Sequence, residues 1–240
     1  NKKVYKQDNN LTPYPYPHWT IKEINEQVDS SLRAISLGGR LLSTDMVKLG
    51  GIESKKDILK DIDNLILLGC GTSYYAGLLG VNYFKDLCEL NTVQVFDGAE
   101  FTFKDVPKKG KTAIILLSQS GETKDLHRAI DIAKSNNCIT MGIVNVVDSI
   151  IAREVDCGIY LNAGREVGVA STKSFTNQVI VLSMMAVWFS QIHFKNTNKR
   201  RDFISSLRNL PYDIKKTIEI SDSNKDLFLN KLNKPNLFIL

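Results

Sequence analysis

Five short apolar runs, separated by polar loops and helical patterns, constrain the fold of this chain more than any other feature. The runs are NLILL at 64–68, TVQVFD at 92–97, AIILL at 113–117, CITMGIVN at 138–145 and GIYLN at 158–162. Continuously apolar runs are typical of parallel strands that are covered on both faces. Because strands that alternate with helices form a sheet between helical layers, the sequence predicts an α/β fold, a three-layer doubly wound parallel sheet over about residues 40–192.

The region in front of this sheet has a different pattern. Residues 1–18 are polar and carry Pro13, Pro15 and Pro17 on alternate positions, which predicts an extended linker or arm. Apolar residues three or four apart then predict an amphipathic helix over 19–36, ended by the glycines that follow it. We therefore expect an N-terminal helical arm in front of the sheet.

One long apolar segment, FTNQVIVLSMMAVWFSQIHF at 175–194, is near the length of a membrane span. Asn177, Gln178, Gln191 and His193 crowd its ends, so its strongly apolar centre is shorter than the roughly 20 residues that a spanning helix needs. We interpret it as a buried core helix and predict no membrane contact.

The distribution of charge and the spacing of the cysteines argue against several classes of function. The 240 residues carry a formal net charge of +5, and its densest source is KNTNKRR at 195–201. No aromatic side chains are interleaved there, so we interpret the run as a solvated turn and predict no nucleic-acid partner. Cys70, Cys88, Cys138 and Cys157 lie far apart, which favours neither a zinc site nor a disulfide framework and indicates a reducing, cytoplasmic location.

A cluster of hydroxyl side chains follows the third predicted strand. The sequence SQSGET at 118–123 places Ser118, Ser120 and Thr123 around Gly121 at the start of a predicted helix. In parallel sheets ligands bind at the carboxyl ends of strands, and a helix N-terminus offers free N–H groups to an anion. Neutral donors suit a small sugar phosphate better than a triphosphate. The alternative interpretation is an ordinary helix cap.

Two further loops have the same chemistry. CGTSYYAG at 70–77 carries Thr72 and Ser73 after the first strand, and EVGVASTKSFTNQ at 166–178 carries Ser171 before the long apolar helix. Since the strand ends converge on one edge of a parallel sheet, the three loops together favour one ligand site over three independent caps. Nucleotide motifs fit poorly, because no P-loop sequence is present and the G-C-G after the first strand lacks the third glycine of a dinucleotide fingerprint.

The three loops resemble the signature loops of the sugar isomerase (SIS) domain. The third is similar in particular to that of the glutamine:fructose-6-phosphate aminotransferase family, also called glucosamine-6-phosphate synthase. IKEINEQ at 21–27, GGR at 38–40, LGG at 49–51 and REVDCG at 153–158 resemble the same family in order and spacing. The resemblance extends over residues 19–240, all of the chain except the arm.

The resemblance implies a reaction and a set of ligand contacts. The family converts fructose 6-phosphate and glutamine-derived ammonia to glucosamine 6-phosphate, so both sugar phosphates are expected ligands, without a cofactor or metal. Positions that match the family's motifs are implied to bind the phosphate through Ser118, Gln119, Ser120 and Thr123, and the sugar through Thr72, Ser73, Val169 and Ser171.

The resemblance also places the family's proton-shuttling Glu, ring-opening His and Schiff-base Lys beyond Leu240. We therefore expect no catalytic residue in this segment and no activity from it alone. His18, His127 and His193 lie outside the hydroxyl loops, so we interpret them as solvated or packed. The implied partners are a glutaminase domain of the same protein and a second copy in a homodimer.

Several side chains near the predicted site have more than one interpretation. Lys173 either neutralises substrate charge or pairs with Glu166, and Glu166 either binds in the site or forms a bridging ion pair. Glu122 is either a site residue or a residue of a helix's first turn. Arg165 stands where family members carry proline, so the fixed backbone angle of proline is lost there.

The sequence near residue 240 predicts that a second domain begins there. We expect a first SIS domain with its leading helix over 19–209, a helical linker over 210–235, and the first strand of a second SIS domain at 236–240, where NLFIL echoes NLILL. The chain is then a fragment of a longer enzyme. The alternatives are a regulatory SIS module that senses a sugar phosphate, and another SIS enzyme such as a fructosamine-phosphate deglycase.

Overall fold

The computed structural model describes residues 12–232, and its central element is a five-stranded parallel sheet. The strands are β1 Asn64–Gly69, β2 Thr92–Asp97, β3 Thr112–Ser118, β4 Ile139–Val144 and β5 Cys157–Tyr160. They lie in the order β2-β1-β3-β4-β5, and every neighbouring pair is parallel. The α/β fold with a parallel sheet is therefore confirmed.

Helices connect the strands and cover both faces of the sheet. They are α1 Trp19–Asn25, α2 Gln27–Ala34, α3 Gly50–Glu53, α4 Lys56–Lys60, α5 Thr72–Leu87, α6 Lys124–Ser135, α7 Ile150–Glu154, α8 Lys173–Ile192 and α9 Thr197–Leu232. The strands lie within a few residues of the positions that the sequence predicts.

The alternation of side chains along the strands divides the core into two layers. Leu65 and Leu67 of β1 point to the face where α5 and α8 pack, while Ile66 and Leu68 belong to the core formed with α6 and α7. Successive residues of a strand point to opposite faces, so an apolar run without alternation is the pattern that a doubly covered strand requires.

Helix α8 is the principal helix of the larger core. It is long and apolar enough to span a membrane, but 78% of its 18-residue apolar window is buried inside the domain. Trp188 and Phe189 are both fully buried, and the Trp188 Nε1–H donates to Glu53 Oε1 at 2.8 Å. The interpretation of the segment as a core helix is confirmed.

The single helix predicted over 19–36 is two helices, α1 and α2, separated at Glu26. Side-chain amides compete with the backbone at this point. Asn25 Nδ2 donates to the Ile21 carbonyl at 2.8 Å, and Gln27 Nε2 donates to the Ile24 carbonyl at 3.0 Å. Such local side-chain hydrogen bonds weaken a helix interior, which explains the break.

The prediction of a solvated turn at 195–201 holds for its exposed residues, which are Lys195, Asn196, Asn198, Lys199 and Arg201, but not for Arg200. Helix α9 begins inside this run, and Arg200 is only 6% exposed. Its guanidinium donates to the carbonyls of Ser190, Lys195 and Asp45, so it closes the turn between α8 and α9.

The predicted domain divisions stay predictions. Helix α9 runs through the expected boundary at 209/210 and contains Pro211 in its interior. The strand predicted at 236–240 and most of the arm predicted at 1–18 lie outside the described residues.

Candidate functional site

The candidate site lies between β1 and β3, where the strand order of the sheet changes direction. Strand β1 is paired on one side with β2 and on the other with β3, and Gly69 at its end is in register with both Asp97 and Leu117. The loops that leave β1 and β3 therefore diverge to opposite faces and open a crevice between them. This is the position at which doubly wound sheets bind their ligands.

A cavity of about 250 Å³ occupies this crevice. All eight residues predicted to bind the sugar phosphate line it, although they come from three loops that are up to about 100 positions apart in the sequence. The complete lining is Cys70, Thr72, Ser73, Leu117, Ser118, Gln119, Ser120, Thr123, Glu166, Gly168, Val169 and Ser171. The structure thus brings the predicted residues together.

The loop after β3 is a network of hydroxyl groups and backbone N–H groups. The Ser118 and Thr123 hydroxyl oxygens lie 2.9 Å apart, and the Gly121 N–H donates to Ser118 Oγ at 2.9 Å. The Glu122 N–H donates to Ser120 Oγ at 3.1 Å. Thr123 is the N-cap residue of α6, yet its side chain does not cap the helix. Its hydroxyl points instead toward Ser118, so the simple-cap interpretation does not describe this threonine.

Gly121 is required by both conformation and space. Its φ angle is +70°, and a Cβ atom at this position would collide with the side chain of Ser149. The Gly121 carbonyl accepts a hydrogen bond from the Ile151 N–H at 3.0 Å. Glu122 Oε1 accepts from the Ile150 N–H at 2.9 Å. Neither sequence interpretation describes Glu122, because it precedes α6 and does not line the cavity; its carboxylate instead accepts from the first N–H group of the neighbouring helix α7.

The loop after β1 contributes the start of α5. Ser73 is 9% exposed, and its Oγ accepts a hydrogen bond from Gln178 Nε2 at 2.9 Å. Gln178 is buried on α8, so the long core helix fixes the orientation of this serine. Thr72, the first residue of α5, is exposed at the cavity. The N-terminus of a 16-residue helix therefore adds its positive dipole end to the site.

The third loop, 163–172, is held by carboxylates. Glu166 Oε1 accepts hydrogen bonds from the Thr172 N–H at 3.0 Å and from the Ser174 N–H at 3.2 Å. Glu23, on α1, accepts from the Val167 N–H at 2.6 Å. Glu166 therefore fixes the shape of the loop and also lines the cavity. It forms no ion pair with Lys173.

Both interpretations of Lys173 are wrong. Its Nζ lies 2.5 Å from Glu26 Oε2, and the side chain is only 3% exposed. It does not line the cavity of the hydroxyl loops. Glu23 and Glu26 were missed in the sequence as partners of this loop region, because they are more than 140 positions away. The resemblance of IKEINEQ was the signal that pointed to this segment.

The lining of the cavity is almost entirely neutral. Glu166 is its one charged side chain within residues 12–232, and Lys, Arg and His are absent from the lining over the same range. Burial raises the pKa of the Cys70 thiol, and the Asp97 carboxylate raises it further, so the thiol is protonated at neutral pH. An anion in the cavity would be held by N–H and O–H dipoles rather than by a countercharge.

The histidines lie elsewhere in the fold. His193 contacts the carbonyls of Phe189 and Lys60, each at 2.8 Å, and is packed at the end of α8. The His127 Nδ1 lies 3.7 Å from Glu154 Oε2, and His127 does not line the cavity. Within the described chain, no three His, Cys, Asp or Glu side chains are grouped as a metal site requires.

A second, larger cavity of about 780 Å³ adjoins the first and shares Gln119 and Glu166 with it. Arg33 and Arg165 lie on its walls, so positive charge borders the neutral site without entering it. Arg33 is fixed by donating to the carbonyls of Asn162 and Ala163. The sequence did not indicate this second cavity.

Comparison with known proteins identifies the fold family. The model of the SIS domain matches residues 58–188, more than half of the chain. The chain belongs to the SIS domain family. The matched region runs from α4 to α8 and contains all three loops of the cavity, whereas α1, α2 and α9 lie outside the SIS domain match.

Relatives of this SIS domain chain share one enzyme name. It is 45% identical over 212 residues to the "Probable glutamine--fructose-6-phosphate aminotransferase [isomerizing]" of Acanthamoeba polyphaga mimivirus, covering 88% of this chain and 34% of that protein. It is 37% identical over 223 residues to glutamine–fructose-6-phosphate aminotransferase 2 of Bos taurus, covering 91% and 32% respectively. The chain thus spans about a third of the length of these relatives.

A solved structure agrees with the SIS fold. The C-terminal domain of glucosamine-fructose-6-phosphate aminotransferase from Francisella tularensis superposes with a TM-score of 0.83 at 24% identity, over 93% of this chain and 62% of that one. At this identity the likeness concerns the fold alone, and the prediction of a doubly wound SIS domain is confirmed.

Proposed function

We propose that this chain is the sugar-phosphate-binding SIS domain of an isomerising glutamine:fructose-6-phosphate aminotransferase. The observation that carries the proposal is the convergence of eight predicted binding residues on one cavity at the carboxyl ends of β1 and β3, with Glu166 as the one charged side chain of its described lining. Relatives that are 33–45% identical over most of the chain carry this enzyme's name, which favours it over a regulatory SIS module or a deglycase.

The two ends of the ligand bind to different loops in this proposal. The phosphate lies against Ser118, Gln119, Ser120 and Thr123, where hydroxyl groups and the start of α6 supply hydrogen-bond donors. The sugar lies toward Thr72, Ser73, Ser171 and the backbone of Val169. A cavity of about 250 Å³ suits a hexose monophosphate better than a dinucleotide.

The complete reaction needs groups that this cavity does not supply. Ring opening and proton transfer between C1 and C2 require a general acid and a general base. Glu166 is the one ionisable carboxylate on the described lining, and its Oε1 is engaged with the N–H groups of Thr172 and Ser174. We propose that the catalytic groups, a glutaminase domain and the dimer interface are found in the whole enzyme. We propose further that this enzyme is cytoplasmic.

Titration calorimetry of the 240-residue chain tests the binding function. We expect fructose 6-phosphate to bind and fructose to give no measurable heat, because the phosphate provides most of the hydrogen bonds. Ser118→Ala is expected to weaken binding by about tenfold or more, since a hydrogen bond to a charged group contributes about 1.5–3 kcal/mol. Ser135→Ala, at the exposed far end of α6, is the matched control.

Equal affinity for fructose and fructose 6-phosphate would refute the proposal, as would equal affinities of the Ser118→Ala and Ser135→Ala variants. An activity assay of the full-length enzyme distinguishes the remaining alternatives. A regulatory module binds fructose 6-phosphate without consuming it, and a deglycase acts on a fructosamine phosphate, whereas an aminotransferase forms glucosamine 6-phosphate from glutamine.

A further inference from the structure

A buried carboxylate from outside the SIS domain match contacts the third loop of the cavity. Glu23 lies on α1, in front of the matched residues 58–188, and is only 1% exposed. Its Oε1 accepts the Val167 N–H at 2.6 Å, and its two oxygens lie 3.1 and 3.2 Å from the Gly168 nitrogen. Two successive backbone N–H groups thus point at one carboxylate.

The loop is attached at its other end by Glu166. The N–H groups of Thr172 and Ser174 both point at the Glu166 carboxylate. The residues between the two attachments include Val169, whose side chain is fully exposed, and Ser171. These are the two residues of this loop that we propose to face the sugar. Their positions therefore depend on carboxylates at both ends of the segment.

The fit of Glu23 against the loop is close. A Cβ atom on Gly168 would lie 2.6 Å from Glu23 Oε2 and 3.2 Å from Thr20 Oγ1. A side chain at position 168 would therefore displace either the carboxylate or the loop. The absence of a side chain at Gly168 permits both N–H groups to reach the same carboxylate.

Glu23 acts on the cavity from behind the loop. It lines a separate cavity of about 340 Å³ together with Glu26 and Val167, and it is not part of the lining that Gly168, Val169 and Ser171 share with the hydroxyl loops. A ligand in the hydroxyl-lined cavity does not touch Glu23. Its effect on binding must pass through the loop.

The same helical segment holds the start of α8. Glu26 forms the ion pair with the buried Lys173, and Gln27 Oε1 accepts the Thr176 hydroxyl at 2.6 Å. Residues 23–27 therefore contact both the loop and the helix that follows it. Since α8 is the buried core helix, this arrangement fixes α1 to the rigid part of the domain, and Glu23 holds the loop against that support.

We infer that Glu23 is a positioning residue for the sugar-binding loop, which makes α1 a functional part of the binding domain. The inference rests on the proposed function for the identity of the ligand. Its structural basis, the attachment of Val167 and Gly168 by a buried carboxylate, can be measured without any ligand.

The experiment compares three variants of the 240-residue chain. Glu23→Ala removes the carboxylate. Glu23→Gln keeps the shape but presents an amide donor to one of the two N–H groups. Asp29→Asn, at an exposed residue on the wall of the same 340 Å³ cavity, removes a charge without touching the loop and is the control. Amide hydrogen exchange is measured first without ligand, and the Kd for fructose 6-phosphate is measured next.

We expect exchange of the Val167 and Gly168 amides to accelerate about tenfold or more in Glu23→Ala, less in Glu23→Gln, and not in Asp29→Asn, because a charge-assisted hydrogen bond is lost. The Leu116 amide, in the buried strand β3, reports global unfolding. Its exchange rate is expected to change only as far as the free energy of unfolding of the variant changes. The Kd for fructose 6-phosphate is expected to rise about tenfold in Glu23→Ala.

Unchanged exchange at both loop amides would overturn the inference, as would a Kd in Glu23→Ala equal to that of Asp29→Asn. If Glu23→Ala does not fold, Glu23→Gln decides by the same two comparisons. Failure of the wild-type chain to bind fructose 6-phosphate would refute the proposed function instead, and the exchange rates would still decide whether Glu23 holds the loop.

Discussion

The hydroxyl oxygens of Ser118 and Thr123 lie 2.9 Å apart across the turn that leaves β3. Ser118 is the last residue of the strand and is 2% exposed, while Thr123 is the N-cap residue of α6. One hydroxyl therefore belongs to the rigid sheet and the other to the start of a helix. Each hydroxyl has one hydrogen, and one of the two is used between these oxygens. The pairing therefore fixes the remaining O–H as a donor for the cavity before any ligand arrives, which lowers the entropy cost of binding.

The Thr123 hydroxyl tests this alignment. Thr123→Val keeps the shape of the side chain and is expected to weaken fructose 6-phosphate binding about tenfold, because it removes one donor to the phosphate and frees Ser118 to rotate. Stability is expected to change by less than about 1 kcal/mol, since the Thr123 side chain makes no capping hydrogen bond.

Calorimetry measures the affinity of Thr123→Val, and urea unfolding measures its stability. Thr217→Val, which removes an exposed hydroxyl from the middle of α9, is the control. Binding by Thr123→Val that matches the control would show that this hydroxyl does not contact the ligand.

Gly121 is expected to tolerate no side chain. Gly121→Ala places a Cβ against Ser149 and forces an L-residue to a φ of +70°, so we expect a loss of about 2–4 kcal/mol in the free energy of unfolding. Gly50→Ala is the control, because nothing lies within 4 Å of the added atom. Urea denaturation of both variants gives the comparison, and an equal loss in both would contradict the steric argument.

Arg200 is expected to stabilise the turn between α8 and α9. Arg200→Ala removes the donor to three backbone carbonyls in a region where the guanidinium is 6% exposed, so we expect a loss of about 2–4 kcal/mol. Arg201→Ala, at the exposed neighbouring position, is expected to change stability by about 0.5 kcal/mol or less. Thermal or urea unfolding separates the two variants, and similar losses would indicate that the burial of Arg200 contributes little.

Cys88 is expected to make stability fall in alkaline solution. Burial raises the pKa of its thiol from 9.0 to about 12. Below pH 9 the thiol is protonated in both states. Between pH 9 and about 12 it ionises in the unfolded chain while it stays protonated in the folded domain, so ionisation favours unfolding. The wild-type chain is therefore expected to lose about 1 kcal/mol more than Cys88→Ala between pH 8 and pH 10.

Urea unfolding of both chains at the two pH values checks this difference. Other ionisable groups titrate in both chains, so the comparison isolates Cys88. Parallel pH profiles would mean that the thiol ionises equally readily in the folded domain.

Some features of this protein could be predicted from local sequence. The run AIILL predicts β3 because every residue of a doubly covered strand must be apolar, and SQSGET predicts a turn and a helix start because hydroxyl residues and glycine favour those conformations. The convergence of three loops follows from the geometry of parallel sheets, in which all strands end at one edge. The fold and the hydroxyl side chains of the cavity were therefore accessible from short stretches of chain, whereas Gln119 and Val169 were implied only by the resemblance to the family.

Contacts between distant residues were decided by the tertiary structure alone. Glu23 and Val167 are 144 positions apart, and Glu26 and Lys173 are 147 apart. The sequence around a charged residue is the same whether its side chain faces solvent or a buried partner. Neither the Glu26–Lys173 pair nor the burial of Arg200 could therefore be predicted from the segments that contain these residues. Packing between distant elements decides which charges lose their water. Helix α2 packs against α8, where Lys173 pairs with Glu26, and the turn between α8 and α9 buries Arg200 against the Asp45 carbonyl. A buried charge must find its partner in the element that packs against it.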